Sequence, residues 1–92
     1  MTDMPTVEFA PALTRHVPCP AQRVEGATLR AALDNAFLAA PAMRSYVLDE
    51  QGAVRKHVAV FVNARMIESR TQLDVALGRD DKVMVIQALT GG

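Results

Sequence analysis

The sequence predicts an α+β fold in which one main helix packs on one face of a mixed sheet of about four to five strands. Three observations predict it. Apolar side chains recur at helical spacing over residues 29–40, a two-residue alternation opens residues 6–13, and β-branched runs follow at 58–62 and 82–88. Because the chain has 92 residues, it has room for one hydrophobic core.

The N-terminal part of the chain predicts two strands separated by a turn. Residues 6–13 begin with apolar side chains that alternate with polar or small ones, which indicates a half-buried first strand; Pro11 confines its later part to an edge or a bend. Residues 16–22 contain two prolines and predict a turn. Residues 23–25 are expected to end a short second strand.

The main helix has clear start and stop signals. Thr28 is a suitable N-cap, and Pro41 ends the helix because proline disfavours a helical conformation at the preceding residue. Residues 42–48 are then expected to form a short helical turn. The apolar face of the main helix comprises Leu29, Ala32, Leu33, Ala36, Phe37 and Ala40.

The C-terminal half predicts three further strands. Residues 58–62 form one, a hairpin turn at Asn63-Ala64 follows, and residues 65–67 return as a short strand. Residues 82–88 form the last strand. The connection over residues 69–81 is expected to be pinned by three apolar residues, Leu73, Val75 and Leu77. The order strand, strand, helix and three strands is that of the β-grasp fold.

The two late strands are apolar on both faces, although one helix can bury only one face of the sheet. If the valines face the helix, then Phe61, Met84 and Ile86 lie on the open face, beside the strand that carries the C-terminal tail. A protein partner explains such a surface better than monomer stability does. The alternative is that the N-terminal residues or residues 42–48 fold over it.

Charge and cysteine content exclude several classes of function. Ten Lys and Arg balance ten Asp and Glu without a run of like charge, so we expect binding neither to nucleic acid nor to a membrane. Cys19 is the only cysteine, which excludes an internal disulfide and indicates an unremarkable thiol in a loop. His16 and His57 lack metal-ligand spacing and receive no role. The N-terminus resembles neither a signal peptide nor a membrane span, so a cytoplasmic location is expected.

The chain ends with a tail, residues 89–92, which we separate from a folded domain at residues 1–88. Gly91 and Gly92 lack Cβ atoms, so the tail can enter a narrow channel and present its terminal carboxylate. A carboxylate is a poor acyl donor and must first be activated, most simply by forming an acyl-adenylate with ATP. The chain has no phosphate-binding glycine-rich loop, so a separate enzyme is implied.

The residues resemble the ubiquitin-like sulfur carriers, a family that includes the small subunit of molybdopterin synthase and the thiamine sulfur carrier. The resemblance covers nearly the whole chain. It rests on residues 24–29 (VEGATL), 60–63 (VFVN), 73–77 (LDVAL) and 83–86 (VMVI), followed by Gly91-Gly92.

The resemblance implies that Gly92 is adenylated by an enzyme of the ubiquitin-activating type and converted to a thiocarboxylate. A persulfide enzyme would supply the sulfur, and a downstream enzyme would accept it for biosynthesis of a small molecule. ATP and Mg²⁺ would belong to the activating enzyme, so no bound cofactor and no catalytic activity of this chain are expected. The partner-binding residues would be Phe61, Met84, Ile86, Leu89 and Thr90.

The sequence departs from the family pattern at two turns and in the tail. Asn63-Ala64 replaces the usual Asn-Gly, and Arg79-Asp80-Asp81 replaces Asp-Gly-Asp, so the turns are expected to differ in type. Leu89 and Thr90 replace smaller residues, which bears on which activating enzyme accepts the tail. Three other functions stay open: a modifier that forms isopeptide bonds with lysines, the small subunit of a molybdopterin-synthase complex, and a β-grasp binding module with an accidental Gly-Gly.

Overall fold

A computed structural model describes residues 4–87 and confirms the predicted α+β, β-grasp class. The elements are β1 (Thr6–Phe9), α1 (Pro11–Thr14), β2 (Gln22–Arg23), α2 (Leu29–Ala39), α3 (Met43–Val47), β3 (Val58–Val62), β4 (Arg65–Met66) and β5 (Lys82–Gln87). The five strands form one mixed sheet in the order β2-β1-β5-β3-β4. β1 runs parallel to β5, and the other pairs are antiparallel.

The core lies between α2 and one face of the sheet. Leu29 and Leu33 on α2 are fully buried, in one cluster with Val60, Val83 and Val85 of the two central strands. Each such side chain contributes roughly 1.5–3 kcal/mol through burial. The valines therefore face the helix, as the two-residue period predicts.

The start of α2 depends on two small residues. The Thr28 hydroxyl accepts a hydrogen bond from the backbone N–H of Ala31 at 3.3 Å, which confirms the predicted N-cap. Gly26 is buried so close to the helix that a Cβ there would lie 2.6 Å from the backbone nitrogen of Ala32. Only glycine permits this approach.

The first-strand prediction was wrong over residues 10–13. β1 ends at Phe9, and Pro11 opens the helical turn α1 in place of a longer strand. Proline suits the first position of a helix because its φ is already helical and its missing N–H is not needed there. Leu13 in this turn is buried. β2 spans Gln22–Arg23, so it includes the last residue of the turn predicted over residues 16–22 and ends at the first of the residues 23–25.

α3 confirms the helical turn predicted over residues 42–48. Its residues Met43 and Val47 are fully buried in the same cluster as the core valines. This segment therefore packs on the helix side of the sheet and does not fold over the open face. Within residues 4–87, no helix has the length and apolar character needed to span a membrane.

The β3–β4 hairpin keeps the turn geometry typical of Asn-Gly, which contradicts the expected change of turn type. Asn63 has φ 51° and Ala64 has φ 69°, so both central residues are left-handed. Asparagine tolerates this conformation, whereas alanine is strained because its Cβ approaches the following carbonyl.

Replacing Ala64 with glycine is therefore expected to stabilise the protein by about 0.5–1 kcal/mol, since the relieved strain exceeds the added entropy of the unfolded chain. Urea unfolding measures the change. Ala21→Gly is the matched control, because Ala21 is exposed and does not have a positive φ. A loss of stability in Ala64→Gly as large as that in Ala21→Gly would contradict the strain.

The connection before β5 matches the prediction only in part. Leu73 and Leu77 are buried, but Val75 is 38% exposed and does not pin it. Positive φ is confined to Asn63 and Ala64 among the described non-glycine residues, so the turn at residues 79–81 does differ from a turn that needs glycine.

Asp81 joins this turn to the hairpin. Its carboxylate accepts hydrogen bonds from the Gly78 N–H at 2.7 Å and from the Asn63 side-chain amide at 2.7 Å. These two bonds, the first the larger in effect, lower the pKa of Asp81 below its usual value. The ionised form therefore stabilises the fold above the unfolded pKa of about 3.9, and this contribution is lost as pH falls through the lower, folded pKa.

Asp81→Asn is expected to lower stability at pH 7. Both carboxylate oxygens of Asp81 accept hydrogen bonds, and the amide NH₂ group would replace one of these acceptors with a donor. The difference from the parent protein should shrink as pH falls below 4 and the parent carboxyl becomes protonated. Urea midpoints between pH 7 and pH 2 measure it, with Asp80→Asn as the charge-matched control in the same turn. A difference that is the same at every pH would contradict the role given to the carboxylate.

Candidate docking face and reactive tail

The tail follows β5, the central strand of the sheet, in sequence. The described part of β5 ends at Gln87, which pairs with Val58 at the start of β3. The four tail residues named above, Leu89, Thr90, Gly91 and Gly92, lie outside the described residues. Their roles as reactive group and partner contacts therefore stay predictions.

The open face of the sheet carries the apolar residues predicted for it. Val83 and Val85 are fully buried, whereas Met84 and Ile86 alternate with them and are half-buried. Phe61 is also half-buried and pairs directly with Met84, so the two side chains lie on the same face. The structure thus brings together the three residues that the sequence placed here.

These three side chains line an open concavity of about 590 Å³. Ile86 faces Ala59 across the strand pair, so a small side chain lies opposite a large one. Lys82 borders the concavity, and its ammonium lies 3.3 Å from the carboxylate of Glu8 on β1. An apolar floor with a charged border is the usual anatomy of a protein interface.

Met66 belongs to the same face, and the sequence interpretation missed it. It lies directly opposite Phe61 on β4 and is 54% exposed. The two-residue hairpin turn at Asn63-Ala64 contains the signal, because it pairs residue 62 with 65 and residue 61 with 66. We call Phe61, Met66, Met84 and Ile86 the docking face.

Cys19 is part of the core, not of an exposed loop. It is 5% exposed and belongs to the buried cluster. Burial raises the pKa of its thiol, and a contact from the Gln22 side-chain amide at 3.5 Å offsets this in part. The neutral thiol predominates at pH 7, which agrees with an unremarkable cysteine.

His16 and His57 border one cavity, although they are distant in sequence. The His16 ring stacks on Tyr46 with centroids 5.3 Å apart. No cluster of three or more metal-binding side chains occurs within residues 4–87. The two histidines thus share a surface with Gln87 at the end of β5.

Comparison with protein families finds one match that covers most of the chain. The model of the ThiS family matches residues 18–92, which include α2, the docking face and the Gly-Gly tail. No curated protein matches the chain at a significant level.

Solved structures share the fold at low sequence identity. SAMP1 from Haloferax volcanii is 24% identical with a TM-score of 0.80, and the match covers 97% of this chain and 99% of that one. CysO from Mycobacterium tuberculosis is 20% identical with a TM-score of 0.76, covering 91% and 98%. The Amycolatopsis orientalis BexX/CysO complex contains a chain 19% identical with a TM-score of 0.78, covering 95% and 98%.

Proposed function

The chain belongs to the ThiS family of ubiquitin-like sulfur carriers, and we propose that its Gly92 carboxylate carries sulfur as a thiocarboxylate. The chain itself is a carrier and not an enzyme. It presents the carboxylate to an adenylating enzyme of the ubiquitin-activating type, and later presents the thiocarboxylate to an enzyme that transfers the sulfur to a small molecule.

The observation that carries this proposal is the placement of the docking face on the strand that leads into the tail. Met84 and Ile86 lie on β5, and five residues follow Gln87 in the sequence. Five residues span at most about 18 Å. An enzyme bound to this face can therefore receive Gly92 in an active site within that distance.

The chemistry needs three steps: activation of the carboxylate, transfer of sulfur, and release of the thiocarboxylate. A Gly92 carboxylate oxygen attacks the α-phosphorus of ATP, and pyrophosphate leaves with the electrons of the broken P–O bond, giving the acyl-adenylate. The terminal sulfur of a persulfide then attacks the acyl carbon and AMP leaves, giving an acyl disulfide. A second thiol attacks the donor's sulfur, which releases the thiocarboxylate and forms a disulfide between the two thiols.

Residues of this chain contribute binding, not proton transfer. The docking face positions the domain, and Gly91 and Gly92 allow the tail to enter a narrow channel. ATP and Mg²⁺ belong to the adenylating enzyme. A bound partner is consistent with the neighbouring structure of a CysO protein in the BexX/CysO complex.

Intact-protein mass spectrometry tests the proposal. The chain is incubated with the adenylating enzyme of the same genome, ATP, Mg²⁺, a persulfide donor and a second thiol, alongside a carrier known to react with its own enzyme. We expect a mass gain equal to exchange of one oxygen for sulfur, located to Gly92 by fragmentation. An unchanged mass while the control carrier reacts would overturn the proposal.

Protein modification is the second candidate function, because the similar structure of SAMP1 is described as that of a small archaeal modifier protein. In that case the activated Gly92 forms isopeptide bonds with lysines of other proteins. A ladder of higher-mass adducts in lysate, lost when Gly91 and Gly92 are deleted, identifies it. Absence of the ladder together with the sulfur exchange leaves the carrier function alone.

A further inference from the structure

A second surface lies at the end of the sheet where β5 leads into the tail. A cavity of about 320 Å³ is bordered there by His16, Tyr46, Arg55, His57 and Gln87. Two of these side chains are held in place. The His16 ring stacks on Tyr46, and Arg55 Nε donates a 2.7 Å hydrogen bond to the Ser45 carbonyl.

The strand order explains why the two histidines meet. β1 is parallel to β5 and β3 is antiparallel to it, so the end of β1 and the start of β3 lie beside the end of β5. His16 follows β1 through α1, and His57 immediately precedes β3. The surface therefore includes Gln87, the last residue of β5, which the tail follows in sequence.

This surface is basic in a chain whose formal net charge is zero. Arg15 and Lys56, the chain neighbours of the histidines, are exposed. The sequence has no Asp or Glu within residues 10–24, 53–62 or 82–87. We call Arg15, His16, Arg55, Lys56 and His57 the tail-base patch.

Two carboxylates, Asp49 and Glu50, border a cavity together with Arg55, and Asp49 is engaged mainly by its own turn. The pKa of Asp49 is lowered first by the hydrogen bonds from the backbone N–H groups of Ala53 and Gln51, and less by the charge of Arg55. The carboxylate thus serves the turn at residues 49–53. The Arg55 guanidinium donates to a neutral carbonyl but lies near Asp49, so the charge offered to a partner rests mainly on the exposed Arg15 and Lys56.

We propose that the tail-base patch binds an acidic segment of the adenylating enzyme at the mouth of the channel that receives the tail; this rests on the proposed function. Five residues separate the patch from the carboxylate, a span of up to about 18 Å in an extended tail. The patch therefore meets the outside of the channel, not the nucleotide. Charge at the border of an interface mainly accelerates association and sets orientation.

The first test uses an acidic peptide as the probe. Hexaglutamate is titrated into the full chain, with hexalysine as the charge control, and backbone amide NMR shifts are followed. We expect saturable shifts at residues 15–16 and 55–57 that disappear in Arg15→Glu/Lys56→Glu. They should persist in Arg23→Glu/Arg65→Glu, which makes the same charge change elsewhere on the surface. Shifts absent from the patch, or equally large at residues 23 and 65, would overturn the proposal.

The second test measures adenylation by ATP–pyrophosphate exchange. Arg15→Glu/Lys56→Glu is expected to raise KM for the carrier roughly tenfold at about 50 mM salt, with kcat unchanged, and less at about 300 mM. An equal KM in the patch and control variants would overturn it. If the parent chain is not adenylated at all, the proposed function fails, while the peptide titration still decides whether the patch binds acidic segments.

Discussion

Deletion of Gly91 and Gly92 is expected to abolish adenylation, with a loss of at least about a thousandfold in kcat/KM. The deletion moves the terminal carboxylate to Thr90, about 7 Å short of its position in the full-length chain. A misplacement of about 1 Å can already cost a factor of about a hundred, because the reacting atoms must be within attacking distance. The threonine side chain would also widen the end that enters the channel.

ATP–pyrophosphate exchange measures this loss, and urea unfolding provides the control for folding. Residues 4–87 contain the whole described core, so the urea midpoint should stay unchanged. Gly91→Ala adds one methyl group without shortening the tail. It therefore separates the effect of tail length from the effect of side-chain size. An activity of the deletion variant near that of the parent would show that the tail is not the substrate.

The central strands were predictable because their periodicity is geometric. Side chains alternate across a strand, so placing Val83 and Val85 inside also places Met84 and Ile86 outside. The docking face follows from that step together with the single main helix. Assigning Met66 to the docking face required one further inference, the pairing of residues 61 and 66 across the hairpin, which the sequence already allowed.

The errors fall where the local pattern allows two structures. Pro11 is compatible with a bent strand and with the first position of a helix, and the structure selects the helix, which buries Leu13. Residues 69–81 show no regular hydrophobic period, so the sequence did not indicate that Val75, although apolar, is exposed.

The tail-base patch could not be read from the sequence because, besides the strand order, it depends on α1, which positions His16. His16 and His57 become neighbours only when β1 and β3 both flank β5. A β-grasp order implies that arrangement, but the side chains that meet at the sheet end also depend on α1, which was not predicted. Cys19 is similar, since its burial depends on packing between distant segments.

A charge placed on the docking face is expected to weaken the complex with the adenylating enzyme without changing the chemical step. Ile86→Asp should raise KM for the carrier about thirtyfold, corresponding to about 2 kcal/mol for one central apolar contact. kcat should stay unchanged, because the lost contact serves the bound ground state and the transition state equally. Phe61→Ala should act in the same direction, and it tests the face without introducing a charge.

Leu38→Asp is the matched control for this effect. Leu38 lies on α2, on the other side of the sheet, and is 77% exposed, more than Met66. If apolar exposure alone attracted the enzyme, Leu38→Asp would weaken binding at least as much as Ile86→Asp. We expect its KM to equal that of the parent chain, because Leu38 lies on the helix side of the sheet and the proposed docking face lies on the opposite side. Equal KM values for all three variants would remove the docking face from the mechanism and leave recognition to the tail and its base.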